Sequence, residues 1–257
     1  MPALKTPREI EKMRAAGRIV AECHELARKL IVPGVRTMDV DAEVERLIRS
    51  RGGRPAFLGY QPAGLSPYPA STCISINEEV VHGVPGHRRI REGDLVSFDV
   101  GVELGGWYGD AAQTILVGEC SEEARRLKEI CDRALDLAIS VVRPGERLST
   151  IGRTIQTFVE SNGFAVVRKF VGHGIGQEMH EEPQVPNYVS KALLDIDVIM
   201  RPGLTIAIEP MVNVGTDEVK TKGWKVVTKD GKLSAHAEHT VLVTETGREI
   251  LTTLAAA

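Results

Sequence analysis

The chain has 257 residues, 42% of them hydrophobic, which is enough for a sizeable core in one large domain or two small ones. A net charge of −3 and a pI near 6.2 give no basic field for a polyanion, so binding driven by phosphate contacts is excluded as the main activity and no sequence-specific nucleic-acid partner is expected. The start carries no signal-peptide core, no run approaches the roughly 18 apolar residues that a membrane span needs, and four scattered cysteines without a Cys-x-x-Cys pair indicate reduced thiols, so a cytoplasmic protein without a membrane partner is expected.

Thr6-Pro7-Arg8-Glu9 is a capping box with proline at the first helical position, and Ile10, Met13, Ile19, Val20, Cys23, Ala27 and Leu30 follow at helical spacing up to Pro33-Gly34. A second helix is expected from about Thr37, with Val40, Val44, Leu47 and Ile48 inward, stopping at Gly52-Gly53. Residues 94–117 then read as two strands joined by a glycine turn, each carrying one aspartate, Asp99 and Asp110. In the first of them Val96, Phe98, Val100 and Val102 take one face and Leu95, Ser97, Asp99 and Gly101 the other, the pattern of a half-buried strand. A Leu104-Gly105 turn would set the two aspartates directly opposite, whereas a Gly105-Gly106 turn would leave them diagonal on one face. Like charges about 5 Å apart repel unless a cation lies between them.

Ser121 caps a third helix with Ala124, Leu127, Cys131, Ala134, Leu135, Ala138 and Val141 inward, and a fourth follows Pro144-Gly145 with Ile151, Ile155, Phe158 and Val159 inward, stopping at Gly163. The two helix pairs match at an offset of 111: Pro33-Gly34 over Pro144-Gly145, Arg36 over Arg147, Val40 over Ile151, Val44 over Ile155 and Gly52 over Gly163. Such register indicates an internal duplication. It predicts a single domain over residues 1–257 whose halves run approximately 1–118 and 119–257. Residues 91–99 align with 201–209 at an offset of 110, which puts Glu209 where the first half has Asp99, and the strand headed by Asp110 resembles the one headed by Glu238. Glu209 sits among Ile206, Ala207 and Ile208, and a carboxylate buried there must be paired, protonated or metal-bound.

After a strand expected at residues 164–170, Gly172-His173-Gly174-Ile175-Gly176 reads as a glycine-rich loop, with His180 just beyond; His82 occupies a comparable glycine-flanked loop in the first half. His24, His87, His236 and His239 read as surface residues or as neighbours of a site rather than members of it.

Taken together, Cys73-Ile-Ser-Ile-Asn77-Glu, Val81-His82-Gly83-Val84-Pro85, Asp99 with Asp110, the glycine-flanked His173, His180-Glu-Glu-Pro, Glu209-Pro210-Met211 and Glu238-His239-Thr240 resemble type I methionine aminopeptidase nearly end to end. The resemblance implies an α+β architecture, the pita-bread fold, with two pseudosymmetric halves, an antiparallel sheet inside and helices outside. It implies that Asp99, Asp110, His173, Glu209 and Glu238 ligate two divalent metal ions, Asp110 and Glu238 bridging, and that His82 and His180 contact substrate. Four carboxylates balance two divalent ions, and oxygen-rich ligands with one imidazole suit manganese, iron(II), cobalt or a labile zinc. Such a pair activates water and polarises a carbonyl; Glu209 would shuttle the proton, His180 would stabilise the oxyanion and His82 would position the leaving side.

By the same resemblance Tyr60, Tyr68, Cys73 and Trp224 line a methionine pocket, and Phe57 stands where many relatives have cysteine. The segment 61–69 is longer than in familiar relatives, and Ala235-His236-Ala237 is atypical. The implied substrate is the N-terminal methionine of nascent polypeptides with a small second residue; the implied context is a monomer with transient ribosome contact and a monovalent cation near Asn77 and Ser234. The nearest rival is a proline-specific aminopeptidase of the same fold, whose members usually bring an extra N-terminal domain. A non-catalytic binding protein of that fold would typically have lost ligands.

Overall fold

A computed structural model describes residues 2–195 and 197–254. Four long helices form as the periodicity predicts: α1 (Pro7–Leu30), α2 (Thr37–Ser50), α3 (Glu122–Ser140) and α4 (Ser149–Ser161). At the start of α1 the Glu9 carboxylate accepts from both the backbone N–H and the hydroxyl of Thr6, at 2.8 Å each, and at the start of α3 Ser121 Oγ accepts from Ala124 N–H.

The helices cover one face of a nine-stranded sheet whose main path runs Arg54–Pro55, Leu95–Leu104, Trp107–Leu116, Glu238–Val243, Thr205–Ile208, Gly172–Gly174 and Glu181–Val185, antiparallel at every step. First-half strands lie on one side of the path and second-half strands on the other. Each side has its own core. Val96, Phe98, Val100 and Val102 pack on α1 and α2, while Ile206, Ile208 and Val241 pack on α3 and α4. The glycine ends of the helices repeat as well: Gly34 N–H donates to Ile90 O and Gly145 N–H to Met200 O, and the bridges Arg36 to Arg89 and Arg147 to Ile199 sit beside them. α1 lies so close to the chain's last described turn that a Cβ on Gly17 would meet Leu251 O at 2.0 Å.

Three local readings change. The strand Leu95–Leu104 is buried on both faces as far as Glu103, because on its polar face Leu95 joins the α3 and α4 core, Ser97 meets Thr114, Asp99 lines a walled cavity and Glu103 pairs with Arg54. The strand expected at 164–170 is only Ala165–Val166, while the glycine-rich run contains a strand of its own, Gly172–Gly174, so His173 is held by ladder hydrogen bonds rather than by a loop. Finally, of the four histidines set aside, His24 and His236 are buried and His239 is half-buried, and His87 stands on the surface. Among the described residues no helix is long and apolar enough to cross a membrane.

Candidate metal centre and substrate cavity

Strand register assembles the acids. Gly105 and Gly106, both at positive φ, make the hairpin turn, so Leu104 pairs with Trp107 and the two aspartates are diagonal: Asp99 faces Ala112, and Asp110 faces Gly101. The next strand places Glu238 against Ala112 from the other side. Asp99, Ala112 and Glu238 therefore form a row across three neighbouring strands, with Asp110 two residues along the middle one. One step past the His239 to Ile208 pair, the row reaches Glu209. One step past Gly174 to Ile206, His173 comes in on the same face. Period two thus delivers all five side chains to one side of the sheet.

The seam between the halves is stitched by hydroxyls. Thr240 Oγ1 accepts from Asp110 N–H at 3.0 Å and donates to Asp110 O at 2.8 Å; Thr114 Oγ1 likewise accepts from His236 N–H and donates to His236 O. These bonds hold the backbones of the strands that carry the acids from either half.

The centre is strongly desolvated. Asp99 is 8% exposed, Asp110 3% and Glu238 2%. Burial pushes all three carboxyls well above the usual range, reinforced at Asp99 by the charge of Asp110, and burial raises Glu209 to about 8. His173 is driven down to about 3 by burial, so it is neutral. Its Nδ1 lies 2.9 Å from Gly174 O; a carbonyl only accepts, so Nδ1 carries the hydrogen and Nε2 presents its lone pair 3.7 Å from Glu209 Oε1.

Asp99 Oδ1, Asp110 Oδ1, Glu238 Oε1 and His236 Nε2 are buried without any hydrogen-bond partner. Orphaned acceptors converging from four elements are what a cation site leaves when considered without its ions. Two triads bring ligand atoms within 4.8 Å of one another, Asp110 with His173 and Glu238, and Glu209 with His236 and Glu238. The donor set fits divalent ions.

Above this floor opens a cavity of about 300 Å³, and all eleven residues singled out in the sequence line it: Tyr60, Tyr68, Cys73, His82, Asp99, Asp110, His173, His180, Glu209, Trp224 and Glu238. Tyr68 is buried, its hydroxyl donating to Thr72 O or Gly83 O, and it meets Phe57 and Trp224 edge-on at 6.4 and 5.1 Å between centroids. His82, at φ 58°, stands edge-on to Phe170 and Trp224. His180 lies at the rim between Tyr60, 5.2 Å away, and His173, 4.3 Å away. Sequence reasoning missed Phe170, Met179, Pro62 and Leu65 in the lining; only the adjacency of Met179 to His180 and of the last two to Tyr60 hinted at them. It also set His236 aside, although this side chain is 2% exposed with Nε2 3.6 Å from Glu209 Oε2 and 4.0 Å from Glu238 Oε2.

Comparison with known proteins agrees with this geometry. The model of metallopeptidase family M24 matches residues 11–245. Methionine aminopeptidase 1 of Bacillus subtilis is 47% identical over 250 residues, covering 96% of this chain and 98% of the relative. The crystal structure of methionine aminopeptidase from Thermotoga maritima superposes with a TM-score of 0.93 at 47% identity, covering 99% of this chain and all of the other. A prolidase from Pyrococcus furiosus shares the fold at a TM-score of 0.77 and 27% identity, this chain spanning 66% of its length. With four carboxylates and an imidazole gathered on one pita-bread sheet, the chain belongs to metallopeptidase family M24 and, within it, to the methionine aminopeptidases.

Proposed function

We propose that this metallo-aminopeptidase removes the N-terminal methionine of nascent polypeptides whose second residue is small, with Asp99, Asp110, His173, Glu209 and Glu238 holding two divalent ions. The observation that carries the reading is the convergence of these side chains beneath an apolar pocket built from Phe57, Tyr68, Cys73, Met179 and Trp224. When bound, the ions supply activated water and Lewis-acid polarisation of the scissile carbonyl.

The chain's own residues do the rest. The aromatic walls take the unbranched thioether and exclude water from the reacting bond. Glu209 accepts a proton from the attacking water and returns it to the leaving amine. His180 at the rim donates a hydrogen bond to the carbonyl oxygen as negative charge develops. His82, fixed against Phe170 and Trp224, contacts the leaving side.

The internal repeat supports one catalytic domain with halves near 1–118 and 119–257; its terminal residues lie outside those described. A monovalent cation near Asn77 and Ser234 is supported by Ser234 Oγ, buried without a partner, beside the Ser234 N–H to Asn77 O bond. Transient ribosome contact is supported by the exposed Lys220 and Lys222 on the hairpin that borders the cavity mouth. Cobalt, manganese, iron(II) or zinc as the metal, a monomer, and a cytoplasmic location complete the proposal. Hydrolysis of Met-Ala-Ser against Ala-Pro peptides, after chelation and reloading with each metal, tests it. Cleavage of Met-Ala-Ser restored by a divalent ion is expected; preference for Ala-Pro would favour the prolidase branch, and inactivity with every metal would leave a binding protein.

A further inference from the structure

We propose that His236 is a sixth protein ligand of the metal centre, so that the ion held by Glu209 and Glu238 is bound by an imidazole from the second half in addition to His173. The inference rests on the dinuclear reading above and adds to its ligand set.

The geometry is that of a ligand and not of a hydrogen-bonded neighbour. His236 Nε2 is fully enclosed and has no hydrogen-bond partner, although two carboxylates face it. Its separations, 3.6 Å from Glu209 Oε2 and 4.0 Å from Glu238 Oε2, are too long for hydrogen bonds. They suit atoms that share an ion: at metal distances of about 2.1 Å, neighbouring and opposite ligand atoms stand about 3 to 4.2 Å apart. An internal comparison supports this. His173 Nε2 stands 3.7 Å from Glu209 Oε1, so Glu209 lies between two imidazoles at matching distances, one for each of its oxygens.

The backbone is arranged to keep His236 there. It lies on the strand Ser234–His236, paired with Met211 just after Glu209-Pro210, and its N–H and C=O are both taken by Thr114 Oγ1 across the seam. Ala235 and Ala237 on either side are buried in the apolar core behind, so the alternation of the strand turns His236 toward the acids. An imidazole that fills an ion's coordination shell changes which metals the site prefers, toward those that favour nitrogen.

The test is cobalt(II) loading of the full chain, read by metal titration and by the paramagnetically shifted, solvent-exchangeable proton signals of metal-bound imidazoles. The wild-type protein should bind two cobalt ions and show two such signals. His173→Ala should remove one signal and His236→Ala the other, each weakening one ion by at least about tenfold. His236→Gln, similar in volume and able to hydrogen-bond, should also lose the second signal, with circular dichroism reporting that the fold is kept. A single signal that survives both His236 substitutions, with two ions bound, would overturn the inference and leave the methionine aminopeptidase reading standing. Failure of the wild-type chain to bind cobalt would overturn both.

Discussion

Lys5 Nζ lies 2.6 Å from Glu181 Oε2, and this contact fastens the segment ahead of α1 to the strand that begins directly after His180. The lysine side chain is almost fully buried, while the other Glu181 oxygen accepts from the N–H groups of Gln177 and Glu178 and so closes the turn between His173 and His180. A Cβ on Gly176 would meet both Glu181 Oε1 and Lys5 Cε at 2.5 Å, so any other residue there would push the ion pair out of its present place. Lys5→Met leaves a largely buried carboxylate unpaired and should cost about 3 kcal/mol in denaturant unfolding. Adding Glu181→Gln should recover part of that loss, because the neutral pair no longer buries a lone charge.

Removing the seam hydroxyl should loosen the metal floor. Thr240→Val keeps the shape but leaves Asp110 N–H and C=O without their partner, at a cost of about 2 kcal/mol in thermal unfolding. Isothermal titration should show weaker divalent-ion binding in the same variant, whereas an exposed substitution such as Lys229→Ala should change neither.

If His180 stabilises the oxyanion as proposed, it acts on a charge that exists only in the transition state. His180→Ala should therefore lower kcat by about 100-fold with KM for Met-Ala-Ser changed far less. Unaltered turnover in steady-state assays would remove the oxyanion role.

Above about pH 6.5, where the depressed imidazoles of His173 and His236 are neutral whether folded or unfolded, metal-free protein should grow less stable as pH rises. Glu209 has its folded value raised from 4.5 to about 8 by burial, so its contribution is fully present below pH 4.5 and is lost as pH rises toward about 8. The raised carboxyls of Asp99, Asp110 and Glu238 act in the same direction. Melting curves of the chelated protein should shift downward between about pH 6.5 and 8, and saturating divalent metal should abolish the trend because bound ions replace the protons.

The segment 61–67 roofs the cavity mouth, with Pro62 and Leu65 facing in and Trp224 Nε1 donating to Ser66 O at 3.0 Å. Trp224→Phe keeps the aromatic wall but releases that tie. KM should rise several-fold for tripeptides and also for methionine amides, because Trp224 walls the thioether pocket as well as tying down the roof.

Much of this was legible in the residues themselves. Helical periodicity located α1 to α4 because each buries one stripe against the sheet, and the repeated Pro-Gly and Gly stops exposed the duplication. The acids at Asp99, Asp110, Glu209 and Glu238 stood out because charge within apolar strands demands compensation. Period two assigns a side chain to a face, but it does not say what covers that face; hence Leu95–Leu104 read as half-buried and His236 as peripheral. The choice between two hairpin turns, the crossing of Thr114 and Thr240 over the seam, and the approach of His236 to Glu209 depend on backbones far apart in the chain. Local propensity carries no information about those distances, so only the packed tertiary structure decided them.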